Sequence, residues 1–141
     1  MAVNDTSFSR KSNHTSKIIY IMGFLVSKHV SQDMSKEVQQ FIDELIALKK
    51  IVVISKSWCI YCKRTRKALA AYPLEGDTME WIDINKRCDG KEILDYMEQI
   101  TGSRGVPRIF IGGEFFGGCA EICAAKKDGV LERKLTAIGA L

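Results

Sequence analysis

The sequence predicts an open α/β layer, a mixed sheet of four strands with helices on both faces. Three observations predict it. Ile51-Val52-Val53-Ile54 is a short β-branched run with no polar member, the composition of a strand buried on both faces. A helix-period segment separates it from a second strand pattern, so the two strands are joined by a crossover and run parallel. Arg108 to Ile111, then Gly112-Gly113, then Glu114 to Phe116 read as strand, two-residue turn and strand, a hairpin that completes the sheet.

Taken in order, residues 1–30 are rich in Ser, Thr, Asn and basic groups, and read as a disordered or targeting leader ahead of a domain over 31–141. The bias against acids fits a mitochondrial transit peptide, the alternative to a cytoplasmic protein with a plain leader. A start at Met22 would instead give Met22-Gly23-Phe24-Leu25-Val26-Ser27, an N-myristoylation pattern. From Ser31 to Lys50 the apolar residues Met34, Val38, Phe41, Ile42, Leu45 and Leu48 recur at helical spacing, with Ser31 or Asp33 as cap. Ile51 to Ser55 is the central strand. Thr65, Ala68, Leu69 and Tyr72 mark a second helix stopped by Pro73. Thr78 to Ile84 is a second strand. Asp89 caps a third helix bearing Ile93, Leu94, Met97 and Ile100, closed by Gly102. After the hairpin, Gly117-Gly118 opens a helix to about Lys127. Gly129 separates it from a last helix with Leu131, Leu135 and Ile138.

A chain of 141 residues suits one domain with its own core. No apolar run approaches the roughly 18 residues of a membrane span. The net charge is +4, and residues 1–30 hold four of the 21 basic and one of the 17 acidic groups. The remainder is nearly balanced, which argues against nucleic acid as a partner. The five cysteines, Cys59, Cys62, Cys88, Cys119 and Cys123, are odd in number and irregular in spacing. That is no secreted disulfide framework. It points to a reducing compartment with one pair kept for redox or metal chemistry.

Cys59-Ile60-Tyr61-Cys62 falls where the central strand gives way to a helix. A helix N-terminus favours the thiolate, the reactive form of cysteine, and Lys56 adds positive charge. Cys62, one helical turn on, can close a disulfide with Cys59. Cys59 is then the exposed nucleophile and Cys62 the buried resolving thiol. The competing reading is zinc on Cys59, Cys62, Cys119 and Cys123. From spacing alone Pro107 is a trans proline opening an edge strand, with a cis Val106-Pro107 turn as the alternative. Phe116-Gly117-Gly118-Cys119 would let a ligand backbone approach a helix N-terminus that attracts a carboxylate. Cys88 reads as exposed, Cys123 as a small buried hydrophobe, and Phe41, Trp81 and Phe110 as core.

These stretches in order resemble the dithiol glutaredoxins. The likeness rests on Cys59-Ile60-Tyr61-Cys62, on Thr101-Gly102-Ser103-Arg104-Gly105-Val106-Pro107-Arg108 running into Ile109-Phe110-Ile111-Gly112-Gly113, on Gly117-Gly118-Cys119, and on the ending Ile138-Gly139-Ala140-Leu141. It spans residue 36 or so to the C-terminus. The resemblance implies a thioredoxin fold, with Pro107 cis and facing the Cys pair. It implies a redox-active disulfide and glutathione as reducing co-substrate. Glutathionylated and disulfide-containing proteins are then the partners, in electron transport and redox homeostasis. Cys59 would take glutathione from a mixed disulfide, a second glutathione would release it, and Cys62 would serve protein disulfides. Lys56 would bind the glycine carboxylate, Tyr61 flank the sulfur, and the Val106 backbone beside Pro107 pair with the cysteinyl part. Gly118, Cys119 and Ala120 would hold the γ-glutamyl carboxylate, with Glu121 reaching to its amine and Arg104 as a further charge partner.

The chain departs from the family's pattern at four places. Ile60 stands where proline is common, Gly105 where threonine is, Ala120-Glu121 where Ser/Asp-Asp is, and Leu94 where a glutamine binds the glycine carboxylate. The expectation is that glutathione binds less tightly. Ile60 also carries an alternative function. Some family members without proline there hold a [2Fe–2S] cluster between two subunits, through the first cysteine and glutathione, and act as redox sensors or cluster carriers. The chain is then a monomer as a reductase, or a dimer if a cluster binds at Cys59. A thioredoxin reading matches at Trp58 and fails at Ile60-Tyr61.

Overall fold

The computed structural model describes residues 32–141. The leader, the Met22 start and the Ser31 cap lie outside the described residues. The chain divides into two compact units, Met1–Glu37 and Val38–Leu141. Of the first, residues 32–37 are described, and all are helical. Asp33 is among them, within the helix rather than at a cap.

Residues 32–48 form helix α1. Strand β1 (Ile51–Ser55), helix α2 (Ile60–Leu69) and strand β2 (Met79–Asp83) follow, then a single 3₁₀ turn (Ile84–Lys86) and helix α3 (Gly90–Thr101). Strands β3 (Arg108–Ile111) and β4 (Glu114–Gly117) and helices α4 (Cys119–Lys127) and α5 (Val130–Ala137) complete the chain. The sheet order is β2-β1-β3-β4. β1 runs parallel to β2 and antiparallel to β3, and β3 is antiparallel to β4. This is the mixed four-stranded sheet the sequence predicts.

Strand periodicity divides the core in two. Side chains alternate faces along a strand, so Ile51 and Val53 of β1 join Ile109 and Ile111 of β3 on one face. There they pack against Leu69 of α2, Ile122 of α4, and Leu131 and Leu135 of α5. Val52 and Ile54 join Ile82 and Phe110 on the other face, against Val38 and Ile42 of α1 and Ile93 and Met97 of α3. Every residue of β1 is buried, because both its edges are paired and both its faces covered. An all-apolar strand is stable only in that place.

Several expectations need correcting. Leu48 is 79% exposed; it is the last helical residue of α1, beyond the face that packs on the sheet. Helix α2 ends at Leu69, short of Tyr72 and Pro73, and its closing N–H at Ala70 bonds to Arg66 O. Asp89 is at the N-cap position of α3, but its side chain makes no capping bond. Its carboxylate instead accepts from Nε and Nη2 of Arg87, at 2.8 and 2.7 Å. Phe110 is core, whereas Trp81 and Phe41 are half-buried. The guanidinium groups of Arg66 and Arg87 cover their rings, 4.1 and 4.7 Å from the centroids. The Val106–Pro107 peptide is cis, and β3 is an interior strand. The edge-strand reading fails because Pro107 stands just ahead of the ladder, where its missing N–H breaks no strand bond.

Gly90 explains how α3 can follow β2 so closely. A Cβ there would lie 2.3 Å from the backbone oxygen of Ile84, which the fold holds in place. Gly90→Ala is therefore expected to lower stability by roughly 1–3 kcal/mol, as overpacking does. Urea denaturation measures it, and an unchanged midpoint would contradict this packing.

Candidate active site

The site begins with register. Ser55 of β1 pairs with Asp83 of β2, and Ile54 with Arg108 of β3. The end of β1, the turn after β2 and the start of β3 therefore meet at one end of the sheet. Ile109 pairs with Gly117, so the end of β4 and the start of α4 reach the same place.

Cys59 is the N-cap of α2, with extended backbone (φ −74°, ψ 120°). Its Sγ accepts a hydrogen bond from Cys62 N at 3.3 Å. The thiol also lies 3.8 Å from Val106 O, to which it can donate. The first turn of α2 thus presents the positive end of its backbone dipoles to this sulfur. The loop carrying it is anchored. Ser57 N donates to Asn85 Oδ1 at 2.9 Å, and Asn85 Nδ2 donates to Ser57 Oγ at 3.3 Å. Asn85 is a positioning residue that sequence reasoning missed. The available signal was the parallel pairing of β1 and β2, which brings the residues after both strands side by side.

Cys59 is half-buried and Cys62 is 2% exposed. Both are free thiols. Burial pushes the Cys62 thiol up, and its hydrogen bond to Cys59 adds to this. The structure therefore separates an accessible sulfur from an enclosed, neutral one. Around the opening stand Trp58, Ile60 and Tyr61, which are 69%, 60% and 55% exposed.

Beside the sulfur is a groove of about 340 Å³ that brings together Tyr61, Val106, Pro107, Gly118, Cys119, Ala120 and Glu121, with Gly105 and Arg108. Lys56 and Arg104 line a neighbouring cleft with Leu94. Arg104 is already engaged, ion-paired to Asp95 and 3.5 Å from Glu98. Arg108 was not singled out from the sequence. A cation opening an otherwise apolar strand was the signal, since buried charge needs a reason. Its buried Nε has no partner among the described residues.

Glu121 folds back on its own helix. Its Oε2 accepts from Gly118 N at 2.8 Å, half of a capping box. Gly117, with φ 139°, allows this close return; a Cβ there would meet the Glu121 side chain at 2.7 Å. Cys123 is exposed rather than buried. Ile122 takes the inward position of α4, and the next residue is turned about 100° away from it. Its Sγ lies 3.9 Å from that of Cys119. Cys88 is exposed, as expected. Among the described residues no group of three or more His, Cys, Asp or Glu converges, so the proposed zinc ligands are not assembled. No described helix is long and apolar enough to cross a membrane.

The Gly118 N–H bond holds the Glu121 carboxyl below its usual value of 4.5, and Arg108 assists. A depressed carboxyl stabilises the fold above its unfolded pKa and is lost as pH falls through the folded one. The Gly118 amide resonance should thus shift on acidification with a midpoint below 4.5, and stay flat in Glu121→Gln. An NMR pH titration checks both.

Residues 51–116 match the family model described as Glutaredoxin. Glutaredoxin-1 of the rabbit Oryctolagus cuniculus is 39% identical over 103 residues, 73% of this chain and 97% of that protein. Glutaredoxin-1 of the pig Sus scrofa is 41% identical over the same shares. Among solved structures, oxidized glutaredoxin 2 from Chlamydomonas reinhardtii superposes with TM-score 0.71 at 36% identity, covering 76% of this chain and 98% of that one. A buckwheat glutaredoxin–glutathione complex superposes with TM-score 0.71 at 33% identity, covering 77% and 96%.

Proposed function

The chain belongs to the glutaredoxin family, and from that premise we propose that it uses glutathione to reduce protein–glutathione mixed disulfides and protein disulfides at Cys59. The observation that carries this reading is the half-buried Cys59 sulfur, capped by Cys62 N–H and within 3.8 Å of the Val106 carbonyl that borders the groove. The buckwheat relative in complex with glutathione supports glutathione as the occupant.

In the mixed-disulfide reaction, the Cys59 thiolate attacks the glutathione sulfur. A Cys59–glutathione disulfide forms, and the protein thiolate leaves and takes a proton from water. A second glutathione thiolate attacks the same glutathione sulfur, giving glutathione disulfide and restoring the Cys59 thiolate. With a protein disulfide, Cys59 attacks one protein sulfur and Cys62 then displaces it. The resulting Cys59–Cys62 disulfide consumes two glutathiones.

Each part of the tripeptide has a partner of fitting chemistry. The Val106 backbone beside Pro107 would pair with its cysteinyl unit, and Tyr61, which lines the same groove, would flank the sulfur. The first turn of α4 offers the free N–H groups at Cys119 and Ala120 to the γ-glutamyl carboxylate. Arg108, which lines the same groove, is the added cation at that end. Lys56, in the neighbouring cleft, would take the glycine carboxylate. Glu121 is committed to Gly118 N, so its part is to hold this helix start in shape.

With a small glutathione mixed disulfide, glutathione reductase and NADPH, Cys59→Ser is expected to fall to the uncatalysed rate. Cys62→Ser should retain mixed-disulfide activity and lose turnover of protein disulfides. Full activity in Cys59→Ser would sink the reading.

A further inference from the structure

A second cavity of about 250 Å³ shares no lining residue with the groove assigned to glutathione, and shares Lys56 with the cleft that would take the glycine carboxylate. Cys62 forms part of its wall. Besides Lys56, already given to the glutathione glycine carboxylate, three cations line it: Lys63 and Arg66 from α2, and Lys86 from the 3₁₀ turn. The single acid is Asp83, and Lys86 is 3.4 Å from it. Lys56 and Lys63 make no ion pair among the described residues. Arg66 is stacked on Trp81, which fixes its guanidinium at the rim rather than leaving it to wander. One negative charge against three positive ones besides Lys56 leaves a concave, cationic surface. Low-dielectric walls focus such a field toward anions.

We infer that this cavity is a docking subsite for acidic side chains of the protein substrate, so that the chain selects disulfides and glutathionylated cysteines flanked by Asp or Glu. The inference rests on the proposed reduction at Cys59. While glutathione fills the Tyr61–Val106 groove, the protein half of the mixed disulfide must lie outside it. The cationic cavity, bordered by Cys62 and lined by none of the groove's residues, is available to it. The exposed Trp58 and Ile60 beside the sulfur offer apolar contact to the same segment. Complementary charge of this kind acts chiefly on selectivity and association rate.

Two glutathionylated peptides test it, identical except for Glu or Lys at the positions flanking the cysteine. The readout is the ratio of their kcat/KM values within each protein, which cancels any change in thiol reactivity. Wild type should prefer the acidic peptide by about tenfold, the lower end of what focused charge produces. The preference should fade as salt rises from about 0.02 to 0.5 M, where the screening length drops well below 10 Å. Lys63→Gln with Arg66→Gln should bring the ratio close to one. Lys86→Gln alone, on a different element, should lower it in part. Equal turnover of both peptides by wild type would overturn this inference and leave the proposed function standing. Inactivity toward both would overturn the proposed function itself. An effect of the substitutions on the KM for glutathione with the peptide ratio unchanged would give the cavity to the reductant and also overturn the inference.

Discussion

The Cys59 sulfur accepts the backbone N–H of Cys62, and much of the structure exists to make that contact possible. It requires helix α2 to begin at Ile60, one residue beyond the cysteine. It requires β1 to stop at Ser55 with a short loop between. β1 cannot slip to place that loop elsewhere. A one-residue shift would move Ile51 and Val53 to the face of Val52 and Ile54, and put β1 out of register with both β2 and β3. The reactive thiol is therefore positioned by the best-buried strand in the molecule.

The same register gathers the rest of the site. β2 runs with β1, so the turn bearing Asn85 follows at the same end and bonds to the Cys59 loop. β3 runs against β1, so its preceding cis Val106–Pro107 peptide arrives there too. β4 returns alongside β3 and delivers the α4 N-terminus. Ligand sites in open α/β sheets tend to form beyond the carboxyl ends of strands. Here one end of the sheet combines three such ends with the start of an antiparallel strand. The two thiols differ because of layering. Cys59 caps the helix at the surface, whereas Cys62 turns inward against the sheet and loses water.

Charge is distributed with less economy of position. The chain is nearly neutral outside residues 1–30, yet cations gather around the thiols while acids are consumed locally. Asp95 and Glu98 neutralise Arg104, Asp89 takes Arg87, and Glu121 is spent on a helix start. The α2 residues Lys63 and Arg66 face a cavity with one acid. A balanced sequence thus yields an unbalanced surface.

The elements were legible because each rests on local chemistry. An all-β-branched run reads as a buried strand, Gly112-Gly113 as a turn, and Cys59 as the point where strand gives way to helix. The family likeness added what spacing could not decide, the cis proline and the joining of Tyr61, Pro107 and Gly118 into one groove. Only the tertiary structure decided which partners polar side chains choose. Asp89 prefers Arg87 to its own helix, Glu121 prefers Gly118 N–H to open solvent, and Arg104 meets two acids of α3. It also decided that Cys123 faces out, that Asn85 anchors the thiol loop, and that Arg108 enters the groove. Hydrophobic periodicity is written along the chain, but a hydrogen bond or ion pair between residues far apart depends on where the sheet brings them.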